Sequence, residues 1–259
     1  MRVVILPTEK EASDFAANFI EKFIAEKNNT VLGLATGGSV LSTYDALIRK
    51  YQNGKISFQN VVTFNLDEYV GLAPNHKQSY RHYMNKNLFD HIDINKKNTH
   101  IPECLDGNFE LTCSSYESLI KSHGGINLQL LGVGSNGHIG FNEPTSSLKS
   151  RTRVKTLTNN TIHNNARFFG ESELQPSIAI TMGIGTIMDA ENIILLGLGQ
   201  HKSRAVADLV EGPLSSFCPG SALQNHANAI VVLDHLAASN LKLYDYYIQT
   251  EKMNVEYMS

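Results

Sequence analysis

The sequence predicts an α/β protein: a doubly wound, mostly parallel sheet with helices on both faces. Seven short apolar runs carry this reading: VVIL (3–6), VLGLA (31–35), VVTFNL (61–66), LQLLGVG (128–134), SIAIT (177–181), IILLGLG (193–199) and AIVVLD (229–234). They are near-continuous rather than alternating, which is how strands buried on both faces of a parallel sheet read. Helical patterns lie between many of them, and strand–helix alternation implies a layered α/β architecture.

The clearest helix follows the first run. Ala12, Phe15, Ala16, Phe19, Ile20, Phe23 and Ile24 recur at spacings of one, three and four and mark one apolar stripe. Leu41 to Tyr51 and Ser203 to Val210 are shorter helices of the same kind. No repeat, low-complexity tract or linker interrupts the pattern, so one domain is expected over residues 1–259.

Composition narrows the function. Of 259 residues 42% are hydrophobic, enough for a proper core; 18% are charged and the net charge is −3. No pervasive basic surface follows, which argues against nucleic acid as the main partner but not against a small anion. MRVVILPTEKEA turns polar after six residues, too soon for a signal peptide, and no window has the apolar length of a spanning helix. Cys104, Cys113 and Cys218 are odd in number and form no C-x-x-C pair. They read as reduced thiols, and a cytoplasmic protein with no membrane partner is expected.

In open α/β sheets ligands bind outside the carboxyl ends of the strands, so the residues after each run matter most. Thr36, Gly37, Gly38 and Ser39 open a helix, where two glycines admit a close ligand and free N–H groups suit a phosphate. A strand–Gly-Gly–helix turn is equally an ordinary connection. Lys202 and Arg204, in GQHKSRA, stand at another helix start, where the helix dipole disfavours cations. They read either as receivers of an anion or as solvated side chains. Asp67 and Glu68 sit at a strand end, and one of the two can point into a cleft as a proton-transfer base. An aspartate there can also simply cap or turn the chain.

The stretch SNGHIGFNEP is more informative. Glycines on both sides let His138 be presented from a tight loop, and Glu143 precedes a proline that biases it to extended backbone. A carboxylate is the usual means of fixing an imidazole tautomer. No H-x-x-x-H or H-x-H spacing supports a metal site.

Together, GLATGGS, VVTFNLDEYVGL, SYRHYMNKNLFDHIDI, GVGSNGHIGFNEP, SSLKSRTRVKTL and NNARFF resemble glucosamine-6-phosphate deaminases, in the family's order and spacing over about residues 1–235. The resemblance implies a Rossmann-like fold shared with ribose-5-phosphate isomerase and 6-phosphogluconolactonase. It implies conversion of glucosamine 6-phosphate and water to fructose 6-phosphate and ammonium, with no metal or organic cofactor. Asp67 matches the family's base, His138 its ring-opening group and Glu143 the partner of that histidine. The TGGS turn, Arg167 and Lys202 match the phosphate site. Asn136 is a departure, because some members carry aspartate there and others, chiefly shorter ones, asparagine. One carboxylate beside the histidine is therefore expected instead of two.

The basic segment SRTRVKT raises a second expectation. If extended, Arg151, Arg153 and Lys155 share one face at roughly 7 Å spacing and repel one another unless an anion neutralises them. Edge cations can alternatively guard a strand against aggregation. In longer, oligomeric members, residues matching Ser146, Arg153, Lys155 and Thr156 resemble a binding site for the activator N-acetylglucosamine 6-phosphate. A homo-oligomer, a hexamer, is expected on that resemblance. Two rival functions are a 6-phosphogluconolactonase-like hydrolase and a non-catalytic sugar-phosphate sensor. The first has no need of a carbon-to-carbon proton base. The second usually carries a DNA-binding appendage, for which a strand pattern beginning at Val3 leaves no room.

Overall fold

The computed structural model describes residues 1–27, 29–103, 107–157 and 176–258. In chain order its elements are β1 (Arg2–Leu6), α1 (Glu9–Glu26), β2 (Val31–Leu34), α2 (Gly38–Gln52), β3 (Val62–Asn65), β4 (Asp67–Tyr69), α3 (Tyr80–Asn87), β5 (Thr99–His100), α4 (Phe109–Ser122) and β6 (Leu128–Gly132). Then follow β7 (Arg153–Thr156), β8 (Ile178–Thr181), α5 (Ile184–Met188), β9 (Asn192–Gly197), α6 (Ser203–Val210), β10 (Ala229–Asp234) and α7 (Tyr244–Met258). Residues 158–175, which include Arg167, lie outside the described set, as does Cys104.

Seven strands form one sheet in the order β1-β10-β9-β6-β2-β3-β5, every neighbouring pair parallel. Its interior explains the unbroken apolar runs. Ile193, Ile194, Leu195 and Leu196 of β9 are fully buried, as are Val231, Val232 and Leu233 of β10. Burying such a side chain contributes about 1.5–3 kcal/mol, so these seven residues alone are a large share of the core's gross stabilisation. Helix α1 starts at a Thr8 cap and buries Ala12, Ser13, Ala16, Ala17 and Ile20, while Phe15, Phe19, Phe23 and Ile24 of the expected stripe pack partly buried beside them. It packs along α2 and against β10.

SIAIT departs from the expectation. Ile178–Thr181 does not join the parallel sheet; it is the middle strand of a three-stranded antiparallel sheet, β4-β8-β7. Both of its faces are covered there too, so its apolar run is indistinguishable from a parallel strand's. The small sheet is tied to the large one by Met182 N–H donating to the Leu66 carbonyl at 2.7 Å.

Strand order reverses between β2 and β6: from β2 the chain runs outward through β3 and β5, then returns to β6 on the opposite side and continues to β9 and β10. A reversal of this kind opens a crevice at the carboxyl ends of the two strands, the customary ligand site of open α/β sheets.

Candidate active site

A cavity of about 340 Å³ opens at that crevice. Thr36, Gly37, Gly38 and Ser39 line it from the end of β2, Asp67 from the end of β3, Gly134, Ser135 and His138 from the loop after β6, and Lys202 from the turn after β9. Four strand ends thus bring together most of the residues read from the sequence.

At the β2 end, Gly37 precedes α2 with φ 106°, a left-handed conformation that favours glycine, and supplies no side-chain cap. The first-turn N–H groups of α2 are left for a ligand, and no acidic residue stands in that turn. Lys202 is half-buried with no ion-pair partner among the described residues, and burial lowers its pKa. Arg204, weighed beside it, is exposed and does not line the cavity.

Asp67 is 5% exposed. Burial, reinforced by the neighbouring Glu68 carboxylate, pushes its pKa up to about 8 against the opposing hydrogen bonds from the Thr181 hydroxyl and the Phe141 N–H. Gly140 is required beside it: its φ is 56°, and a Cβ there would stand 3.2 Å from the Asp67 Oδ2 and 3.0 Å from Thr181 Oγ1.

The histidine loop places Asn136 between Glu143 and His138. Its Nδ2 donates to Glu143 Oε2 at 2.7 Å, which turns its Oδ1 toward His138 Nδ1, also at 2.7 Å. An amide oxygen can only accept, so His138 donates from Nδ1 and its Nε2 is the nitrogen left to face the cavity. Glu143 Oε2 lies 3.6 Å from the same Nδ1. One carboxylate and one amide therefore stand beside the imidazole. The carboxylate comes from a tight turn in which Ser146 N–H donates to the Glu143 carbonyl at 3.0 Å. Pro144 takes the second position and Thr145, at φ 77°, the third, where a type II turn ordinarily has glycine. Thr145 N–H is held by the Ser216 carbonyl at 2.8 Å. Underneath, a Cβ on Gly134 would stand 2.1 Å from the His138 ring and one on Gly137 2.6 Å from Cys218 Sγ.

Replacing Asn136 with aspartate puts a negative charge where the neutral amide contacts Nδ1. That favours the imidazolium and raises the histidine pKa, so the histidine-dependent limb of the pH–rate profile is expected at higher pH. An unmoved limb means that another group titrates there.

The basic trio expected to receive a second anion is not intact. Arg151 is not a free member of a repelling trio: it precedes β7 and pairs with Glu117 and Asp189. Arg153 is half-buried, its guanidinium donates to the Arg151 carbonyl at 3.3 Å, and its pKa is lowered by burial. Strand alternation puts Arg153 and Lys155 on one face of β7 and Thr156 on the other. Ser146 is buried, with a hydroxyl that has no hydrogen-bond partner among the described residues.

Sequence reasoning missed Tyr80 as a cavity residue. It lines the site from the start of α3, lies 10° from parallel with the Phe141 ring and meets the Tyr69 hydroxyl at 3.3 Å. Its only sequence signal is its place in SYRHYM, within a stretch that resembles the family's.

The family model described as glucosamine-6-phosphate isomerases/6-phosphogluconolactonase matches residues 8–232. A glucosamine-6-phosphate deaminase of Colwellia psychrerythraea is 51% identical over 257 residues, covering 99% of this chain and 96% of that protein. One of Shewanella woodyi is 53% identical over 254 residues, covering 98% and 96%. The solved structure of a monomeric glucosamine-6-phosphate deaminase superposes with a TM-score of 0.88 at 46% identity, covering 93% of this chain and 100% of that one. The 6-phosphogluconolactonase from Trypanosoma cruzi shares the fold, with a TM-score of 0.73 at 16% identity over 93% of this chain and 97% of its own. The chain belongs to the glucosamine-6-phosphate deaminase family.

Proposed function

We propose that this chain converts glucosamine 6-phosphate and water to fructose 6-phosphate and ammonium in the cavity at the β2–β6 crossover. One observation carries the reading: a buried carboxylate, an oriented imidazole, an uncapped helix start and an uncompensated lysine line the same cavity. The phosphate sits against the Thr36–Ser39 turn and Lys202, with Arg167 a further ligand that lies outside the described residues. His138, through Nε2, moves the proton between the sugar's O1 hydroxyl and the ring oxygen, opening the ring. Asp67 then removes the proton at carbon 2 and returns it to carbon 1. The resulting imine at carbon 2 takes up water and releases ammonia, which leaves as ammonium. Asn136 and Glu143 hold the imidazole and are not in the path of the migrating proton. With Asp67 pushed up to about 8, the free enzyme gains its basic form as pH rises through that value, and a base of higher pKa is a stronger proton acceptor.

The reading is tested by running the reaction in deuterated water. Deuterium is expected at carbon 1 of the product, because a carboxyl that shuttles the proton exchanges it with solvent during part of its turnovers. Product free of deuterium under slow turnover contradicts a carboxyl-mediated transfer. The lactonase alternative has less support, because solved structures named for that activity share the fold at 16% to 20% identity, whereas named deaminases match at 46% to 53%.

Regulation and assembly are part of the same proposal. Arg153 and Lys155, with no ion-pair partner among the described residues, and the unpartnered Ser146 hydroxyl suit an anionic, hydroxylated ligand. With Thr156 they are proposed to bind N-acetylglucosamine 6-phosphate as an activator in a homo-oligomer, a hexamer, located in the cytoplasm. The similar solved deaminase is monomeric, so assembly and activation need separate measurements. Light scattering gives the mass in solution. Arg153→Ala is expected to lose the activator's effect on substrate saturation and to keep turnover at saturating substrate. Superimposable native curves with and without activator end the regulatory claim.

A further inference from the structure

Beside Asp67 stands a second buried carboxylate that the mechanism leaves unused. Glu68 is 2% exposed and does not line the cavity. It occupies the middle of β4, where alternation turns its side chain away from the face that presents Asp67. Its two oxygens accept three backbone N–H groups: those of Tyr80 and Arg81, each at 2.9 Å, and that of Tyr69 at 2.8 Å. Tyr80 and Arg81 are the first two residues of α3, whose N–H groups have no acceptor inside the helix. Ser79 caps His82, the third, at 3.0 Å. The start of α3 is thus completed by a side chain from a strand twelve residues earlier, and the wall carrying Asp67 is tied to the wall carrying Tyr80.

We propose that Glu68 is a positioning residue for the proton-transfer step: its carboxylate locks β4 to α3 and holds a negative charge immediately behind Asp67. The proposal rests on the reading of Asp67 as the base. The charged groups around the pair are few. Glu68 faces Glu103, and the Arg81 guanidinium is already engaged by Glu103 and Thr99. Asp67 has Tyr69, Tyr80 and Tyr116 near it, with Lys202 and His138 on the same cavity. Burial raises the pKa of both carboxyls, and the three N–H donors to Glu68 favour its charged form, whose charge opposes ionisation of Asp67.

The test is a carboxyl carbon-13 NMR titration of the native protein and of Glu68→Gln, with kcat and KM followed across pH. Glu68→Gln removes the charge and keeps one acceptor oxygen. The Asp67 titration is expected to move down by about one pH unit, and the rising limb of kcat/KM with it. kcat is expected to fall about tenfold, with KM changed far less. Glu68→Asp keeps a charge but shortens the reach to α3; it should leave the Asp67 titration high while lowering kcat. An Asp67 titration unmoved in Glu68→Gln overturns the proposal, even if stability falls. If Glu68→Gln does not fold, the native titration decides: Glu68 ionising below Asp67 supports the proposal, and the reverse order overturns it. The titration reads this coupling without reference to turnover, so failure of Asp67 as the base is seen separately, as turnover retained in Asp67→Asn.

Discussion

Asp67→Asn is expected to fold and to lose at least about 10²-fold in turnover, the lower scale for removing a general base. The asparagine is nearly isosteric and can still accept the Phe141 N–H, but it cannot take a proton from carbon. Deuterium exchange at carbons 1 and 2 should vanish with turnover. The same substitution should raise stability at high pH, and the sign follows from linkage. Burial raises the Asp67 pKa from 3.8 to about 8, so the carboxyl contributes most to the native state at acid pH, and that contribution is lost as pH climbs through about 8. Asparagine has no such dependence. The melting temperature of the variant should therefore overtake the native protein's progressively between about pH 4 and pH 9. Near-normal exchange in the variant removes Asp67 from the mechanism, and parallel stability curves mean that its carboxyl is not desolvated.

Lys202→Met is expected to weaken substrate binding more than any other single change in the phosphate site. The amine is half-buried without an ion-pair partner among the described residues, so the protein bears its desolvation until an anion arrives. A hydrogen bond to a charged group is worth roughly 1.5–3 kcal/mol, and its loss should raise KM by about tenfold to a hundredfold. Methionine keeps the apolar stem and removes the buried charge, so stability should hold or improve. Inorganic phosphate should inhibit the native protein and hardly affect the variant. Unchanged KM places the phosphate elsewhere in the cavity.

Much of this architecture was legible because central parallel strands bury both faces and are mostly apolar: β9 and β10 sit where IILLGLG and AIVVLD put them. Helix α6 has the bounds its periodicity indicates. Ile178–Thr181 misled for the same reason, since a run buried on both faces carries no record of its partner's direction. The cavity was legible wherever a residue follows a strand directly, as Asp67, the TGGS turn and the His138 loop do. It was illegible where the decisive contact spans a long stretch of chain. Glu117 neutralises Arg151 across 34 residues, and nothing near either position announces it. Glu68 completes a helix start 12 residues away, and Tyr80 enters the cavity by that same tie. Asn136 lay between: its residue type was plain, while its double contact to His138 and Glu143 needed the loop's fold.

The most direct measurement is a coupled assay of fructose 6-phosphate and ammonium released from glucosamine 6-phosphate by the purified protein. Equal amounts of both products, formed by the native chain and all but abolished by Asp67→Asn, are the predicted result. Absence of the ketose, with a 6-phosphogluconolactone hydrolysed instead, would contradict the account.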